Sequence, residues 1–193
     1  MRGRLIVVSG PSGAGKGTLI EAALDEVPEL AFSVSATTRN PRPGEIDGRD
    51  YLFLSRETFE EWIEEGRFLE WAEYSDNLYG TPADQADEFL DAGRSVILDI
   101  ELQGARQVRE NRSDAVMIFV RAPDLEETRR RLEGRATETE EAIQLRMSAA
   151  QTAIAARDEF DYEIVNDDLQ KSRPAMVKLV QEIVTNPDIP LRR

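Results

Sequence analysis

Three kinds of residue in this sequence are placed to handle phosphate. The run GPSGAGKGT, Gly10 to Thr18, spells all but one position of a G-x-x-x-x-G-K-[ST] loop, with Gly17 standing where a hydroxyl is expected. Gly10, Pro11, Ser12, Gly13, Ala14 and Gly15 would turn backbone N–H groups toward phosphate oxygens, and Lys16 adds a point charge for the outer phosphates. Gly17 removes only the hydroxyl that normally touches Mg²⁺; the cradle is backbone, and Thr18 can still meet a phosphate. Loop, lysine and flanking pattern agree, which a chance glycine-rich turn does not require.

Arginines are the second kind. All but three of the 24 basic residues are arginine, and a forked guanidinium matches phosphate better than an ammonium does. Arg39 and Arg42 lie in a turn-rich stretch between Ser35 and Tyr51, where they could clamp a phosphate or simply be solvated. Arg131, Arg135 and Arg146 surround a break at Gly134. Arginines on a mobile segment suit phosphoryl transfer, but taken alone these three fit better as a surface helix laced with Arg–Glu pairs.

Carboxylates are the third. Asp99 and Glu101 end the apolar run SVILDIE, where an acid could orient Mg²⁺ or its water shell, or cap the helix that follows. There is no histidine, so the commonest general base is missing. A phosphate monoester acceptor needs none, because its second pKa is about 6 and it is already ionised at neutral pH. What it needs is charge neutralisation: two unit charges ~4 Å apart repel by about 1 kcal/mol in water and ~4 kcal/mol at an effective dielectric of 20.

The elements that must carry these groups follow from periodicity. Leu5 to Ser9 reads as a strand, and Lys16 to Val27 as a helix with apolar positions at Leu19, Ile20, Ala23, Leu24 and Val27. Phe32 to Ser35 alternates like a strand, Tyr51 to Leu54 is another, and Ser55 to Glu65 is an amphipathic helix. After the aromatic segments FLEWAEY and NLYG, Thr81 is expected to cap a helix with Pro82 at its first position and Asp84 at its third. Strand and helix then alternate: Ser95 to Asp99, Leu102 to Arg112, Ala115 to Val120, and a helix capped by Asp124 that breaks at Gly134. A helix restarting after Thr137 or Thr139 carries the apolar stripe Ile143, Met147, Ala150 and Ile154; Tyr162 to Val165 and Leu169 to Val184 complete the chain. Near-continuous apolar strands alternating with helices predict a parallel sheet covered on both faces, with a mixed lobe inserted at about 35 to 80.

Bulk properties narrow the class. The chain has 193 residues, no cysteine and a formal net charge of −14. Disulfides and thiolate metal sites are excluded, and the charge argues against generic nucleic-acid binding. The apolar runs are strand-sized, so no membrane span and a cytoplasmic location are expected.

Together, GPSGAGKGT, FSVSATTRNPRPGEIDGRDYLFL, FLEWAEYSDNLYGT, VILDIELQGA, RRRLEGRATETEEAIQLRMSAAQ and YEIVNDDL resemble the guanylate kinase family in order and spacing, to about residue 170. The resemblance implies an α/β fold with a P-loop NTPase-type parallel sheet core, helices on both faces, an inserted mixed α/β GMP-binding lobe and a helical lid. It implies one domain over 1–193, with core segments 1–34, 81–125 and 160–193, the lobe at about 35–80 and the lid at about 126–159. The implied reaction is in-line transfer of the ATP γ-phosphoryl group to GMP or dGMP, with Mg²⁺. By the same resemblance Ser35, Arg39, Arg42, Tyr51 and Tyr79 would hold the GMP phosphate, and Glu70, Thr81 and Glu101 would read the guanine. Lys16, Arg135 and Arg146 would stabilise the transferring group, with Arg131 on the ATP side, Asp99 in the Mg²⁺ water network and Asn166 near the adenine.

The chain departs from the family pattern at Gly17, usually Ser, at Glu101, commonly Asp, and at Ala136, often Gly. Adenylate kinases also resemble this loop in reading GKGT, and they depend on Mg²⁺. Binding modules that resemble guanylate kinases without catalysing the reaction commonly have degraded loops and lack the lid arginines; Lys16, Arg135 and Arg146 are all present here.

Overall fold

The computed structural model describes residues 2–74, 76–134, 140–186 and 188–191. Five parallel strands form the main sheet: β1 (Leu5–Ser9), β2 (Leu30–Phe32), β7 (Ser95–Asp99), β8 (Val116–Arg121) and β9 (Tyr162–Val165), in the order β2-β7-β1-β8-β9. A smaller mixed sheet is ordered β4-β3-β6-β5, from β3 (Ala36–Thr37), β4 (Leu52–Phe53), β5 (Phe68–Tyr74) and β6 (Asn77–Pro82). Its β3–β4 pair is parallel, and β6 runs antiparallel to both β3 and β5.

Side chains alternate across β1 as strand geometry demands. Ile6 and Val8 join one core with α1 (Lys16–Glu26) and α7 (Leu169–Thr185), through Leu19, Ile20, Ala23, Met176, Val177 and Val180. Leu5 and Val7 join the opposite core with α3 (Ala83–Asp91) and α4 (Leu102–Asn111), through Ala86, Leu90, Ala105 and Val108. Burial on both faces explains why these strands read as continuous apolar runs. A third, smaller core joins Ala36, Phe59 and Leu78 beneath α2 (Arg56–Glu64).

Two helices remain, α5 (Leu125–Glu133) and α6 (Glu140–Ala155). Asp124 caps α5 as expected, accepting the Glu127 N–H at 2.7 Å. The far end of α6 rests on the main core through Ala153 and Ile154.

Two local expectations are corrected. Phe32 to Ser35 is not one strand: β2 ends at Phe32, and residues 33–35 cross between the sheets, anchored by the Val34 N–H to Gln85 at 2.8 Å. Thr81 does not cap α3; Pro82 occupies that position with no side-chain cap, and the Thr81 hydroxyl is engaged elsewhere.

Strand order places the loop after β1 at the carboxyl end of the sheet, where connections depart in opposite directions, and such a switch point opens a crevice. The register sets Val8 of β1 beside Asp99 of β7, so the last acid of β7 lies next to the start of the loop. Entry into β9 is fixed by Asp161, a fully buried carboxylate that accepts the Met117 N–H at 2.7 Å and meets the Arg109 guanidinium at 3.1 Å. Asp161→Ala is expected to lower stability by about 3 kcal/mol, since it strips a buried donor and a cation of their partner. Denaturant unfolding measures this; a change under about 0.5 kcal/mol would contradict it.

Candidate active site

The loop after β1 closes tightly on the strands behind it. Gly10 (φ +149°) abuts the Val120 carbonyl of β8 so closely that a Cβ there would overlap it. Gly13 and Gly15 have φ of 83° and 82°, a left-handed conformation that side chains disfavour. Gly15 also faces the Asn166 amide, leaving no room for a methyl. Asn166, buried just past β9, donates through Nδ2 to the Ala14 carbonyl at 2.8 Å, and its own carbonyl accepts from Arg131 at 2.8 Å. Its Oδ1 is buried and has no hydrogen-bond partner. Asn166 therefore backs the loop and links it to α5.

Gly17 differs from its neighbours. It lies in the first turn of α1 with ordinary backbone angles, and a Cβ there would meet nothing within 4 Å. Sterics do not require glycine at this position. Thr18, in the same turn, is half-buried.

Lys16 folds back over the loop. Its ammonium donates to the Gly10 carbonyl at 2.9 Å and lies 3.8 Å from Asp99 Oδ1 and 3.9 Å from Glu101 Oε1. Burial in the crevice raises the Asp99 carboxyl above its ordinary pKa, with Lys16 opposing that shift and Glu101 adding to it. Glu101 is 79% exposed and stands at the start of α4 without capping it. Arg146 of α6 reaches Ser12 Oγ at 3.3 Å, so the helix that follows Gly134 does meet the loop. Arg131 also pairs with Glu127 at 2.6 Å. Arg135 and Ala136 lie outside the described residues.

On the smaller sheet, Ser35, Arg39, Tyr51 and Tyr79 come together around β3, β4 and β6. The Ser35 carbonyl accepts the Leu52 N–H at 2.9 Å, the Arg39 guanidinium carbon lies 5.4 Å from the Tyr51 ring centre, and Tyr51 meets Tyr79 edge-on. Burial raises the Tyr51 phenol above its usual pKa. Arg42 is exposed at the rim.

Glu45 organises this group and was not anticipated. It holds Arg39 through two bonds of 2.9 and 3.0 Å and accepts the Arg42 N–H at 2.6 Å. Those bonds hold its carboxyl below the usual range. An acid three residues after Arg42 in a glycine-containing turn was the available sequence signal.

Glu70 and Thr81 form a buried pair, with the Thr81 hydroxyl donating to Glu70 Oε1 at 2.7 Å. Desolvation raises the Glu70 carboxyl above its ordinary pKa, partly offset by side-chain and backbone bonds from Thr81. Its other oxygen sits against Gly104 of α4, where a methyl would overlap it. Glu101, just before α4, and Gly104 are three residues apart, less than one turn. The start of that helix thus brings the loop lysine and the Glu70 carboxyl close to one another in space.

A metal would find little protein to hold it alone. Among the described residues no cluster of three or more potential ligands exists. Asp99, close to Lys16, fits the role of a single carboxylate beside a phosphate-bound Mg²⁺, an ion that keeps most of its water.

Comparison with known proteins gives the same direction. Residues 2–184 match the family model described as guanylate kinase. A guanylate kinase from Rubrobacter xylanophilus is 71% identical over 187 residues, covering 97% of this chain and 98% of that protein. One from Synechocystis is 47% identical over 94% of this chain and 95% of its own length. The crystal structure of guanylate kinase from Anaplasma phagocytophilum superposes with a TM-score of 0.73 at 31% identity, over 96% of this chain and 88% of that one. With nearly the whole length matched in both sequence and fold, this chain belongs to the guanylate kinase family.

Proposed function

We propose that this chain transfers the γ-phosphoryl group of ATP to GMP, and to dGMP, giving ADP and the nucleoside diphosphate. The observation that carries the reading is the start of α4, which brings Lys16 and the buried Glu70–Thr81 pair close to one another. An ionised Glu70 would accept from guanine N1–H and the 2-amino group while the Thr81 hydroxyl, or Glu101, completes the contacts. Adenine offers neither donor, and a buried carboxylate left unpaired is costly.

Ser35, Arg39, Arg42, Tyr51 and Tyr79 hold the GMP phosphate in this reading, with Glu45 fixing Arg39. Backbone N–H groups from Gly10 to Gly15, with Thr18, cradle the ATP phosphates; Lys16, Arg135 and Arg146 neutralise the group in flight, and Arg131 stays on the ATP side. Asn166, held behind the loop by its bond to Ala14, would lie near the adenine in this reading. Asp99 is the residue that would hold Mg²⁺ through water, and the ion when bound would supply charge neutralisation to the transferring group. The segments 35–80 and 126–159 act as lobe and lid that close on the core, and the chain works as a cytoplasmic enzyme.

Three measurements test this. Across GMP, AMP, CMP and UMP with ATP and Mg²⁺, turnover should favour GMP. Arg42→Met should raise KM for GMP by roughly 10–100-fold with little change in kcat, matching one charge-assisted bond, whereas Lys16→Met should lower kcat by roughly 100-fold or more. Swapped effects, or equal use of AMP, would overturn the assignment.

The raised pKa of Glu70 gives a pH signature. As pH falls through that pKa the carboxyl takes up a proton and guanine loses its acceptor, so GMP affinity should fall by up to about tenfold per pH unit. The GMP phosphate also titrates near pH 6, so the comparison is with Glu70→Gln, whose residual pH dependence reports the phosphate alone. Parallel curves for the two proteins would contradict the role of Glu70.

Gly17→Ser should fit without loss of stability, since its Cβ meets open space. Turnover should stay within a few-fold of the parent, roughly the loss or gain of one weak ligand bond, while half-saturation moves to lower Mg²⁺. A rise of about two orders of magnitude, equivalent to about 2.7 kcal/mol, would mean that the glycine loop does not support transfer unaided.

A further inference from the structure

One face of α4 lies along β5, the outer strand of the smaller sheet. Gly104, Gln107 and Asn111 are spaced three and four apart and so share that face. Gly104 makes room for the Glu70 carboxylate. Gln107 accepts the Trp71 N–H through Oε1 at 3.1 Å and donates through Nε2 to the Trp71 carbonyl at 2.8 Å. Asn111 Nδ2 donates to the Leu69 carbonyl at 3.3 Å.

Leu69 and Trp71, the residues gripped, and Glu70 between them sit at an irregularity. The β5–β6 register shifts between Phe68 and Glu70. Leu69 and Glu70 are both buried but in different surroundings, Leu69 in the main core and Glu70 against Thr81 and Gly104, so the register here decides which side chain meets which. A bulge disrupts the local ladder and leaves backbone groups in need of partners. Gln107 supplies a donor and an acceptor to one residue, the pattern an antiparallel neighbour strand would offer.

We propose that Gln107 is a positioning residue for guanine recognition: its paired bonds to Trp71 fix the bulge of β5 and thereby the direction of the Glu70 carboxylate. The proposal rests on Glu70 as the guanine-reading group. A one-residue slip would turn Leu69 or Trp71 toward the guanine in place of Glu70, so the backbone grip is a specificity element even though Gln107 touches no substrate.

The test uses the full chain carrying Gln107→Leu or Gln107→Glu, with Glu70→Gln alongside. Steady-state constants for GMP, AMP and ATP, calorimetric GMP affinity and thermal unfolding are measured on each. Gln107→Leu should raise KM and Kd for GMP by roughly tenfold, the weakening expected when one charge-assisted bond from Glu70 is misdirected, and lower the preference for GMP over AMP. KM for ATP and kcat should stay within about twofold, since the loop is untouched. Gln107→Glu keeps the acceptor for Trp71 N–H and should fall between the parent and the leucine variant. A lowered melting temperature with unchanged GMP affinity and preference in both variants would reduce Gln107 to a structural contact and overturn the proposal. If Glu70→Gln weakens GMP binding while neither Gln107 variant does, the positioning role alone fails. If Glu70→Gln leaves GMP binding intact, the guanine reading fails and takes this proposal with it.

Discussion

A loop that wraps phosphate must turn its N–H groups inward, so its outer side has to be held by contacts other than its own hydrogen bonds. That constraint organises this molecule. Gly10 is pressed on the Val120 carbonyl, the Ala14 carbonyl is held by Asn166, the Gly10 carbonyl by Lys16, and Gly13 faces Leu132 of α5. β8, β9, α1 and α5 thus converge on one short segment. The parallel sheet exists in the right order to deliver them there, and its two covered faces keep the strand ends from shifting.

Several of the described cations around the crevice are already engaged. Lys16 rests between Asp99 and Glu101, Arg39 on Glu45, and Arg131 on Glu127, whose carboxyl is lowered to about 2 by Arg130 and Arg131. Such pairs hold side chains in place while contributing little net energy, because solvent screens them. They therefore preset directions that a multiply charged phosphate can take over, and they discourage weaker anions from competing. In a chain with a net charge of −14, acids such as Asp99, Glu45 and Glu127 lie close enough to cations to be paired in this way.

What could be read beforehand was local. Glycines at 10, 13 and 15, the lysine behind them and the apolar periods of β1 and α1 are properties of adjacent residues, so loop and core elements were visible in the order of letters. The exceptions all depend on distant partners. Thr81 has every mark of a helix cap, but Glu70, eleven positions away in sequence, takes its hydroxyl. Ser33 to Ser35 alternate like a strand but carry the chain from one sheet to the other. Glu45 left only a faint mark, an acid in a glycine-containing turn, and the β5 bulge left none, because a one-residue register shift has no periodic trace.

The grip of Gln107 on Trp71 has one more effect, on how the molecule behaves in crowded solution. β5 is the outermost strand of its sheet, and such strands offer their backbone to any extended chain that comes alongside. At Trp71 both outward groups are already spoken for by a side chain of the same molecule. A glutamine on a helix thereby serves as a stopper on a sheet edge, and intermolecular strand addition is blocked at the site where it would pull the bulge straight.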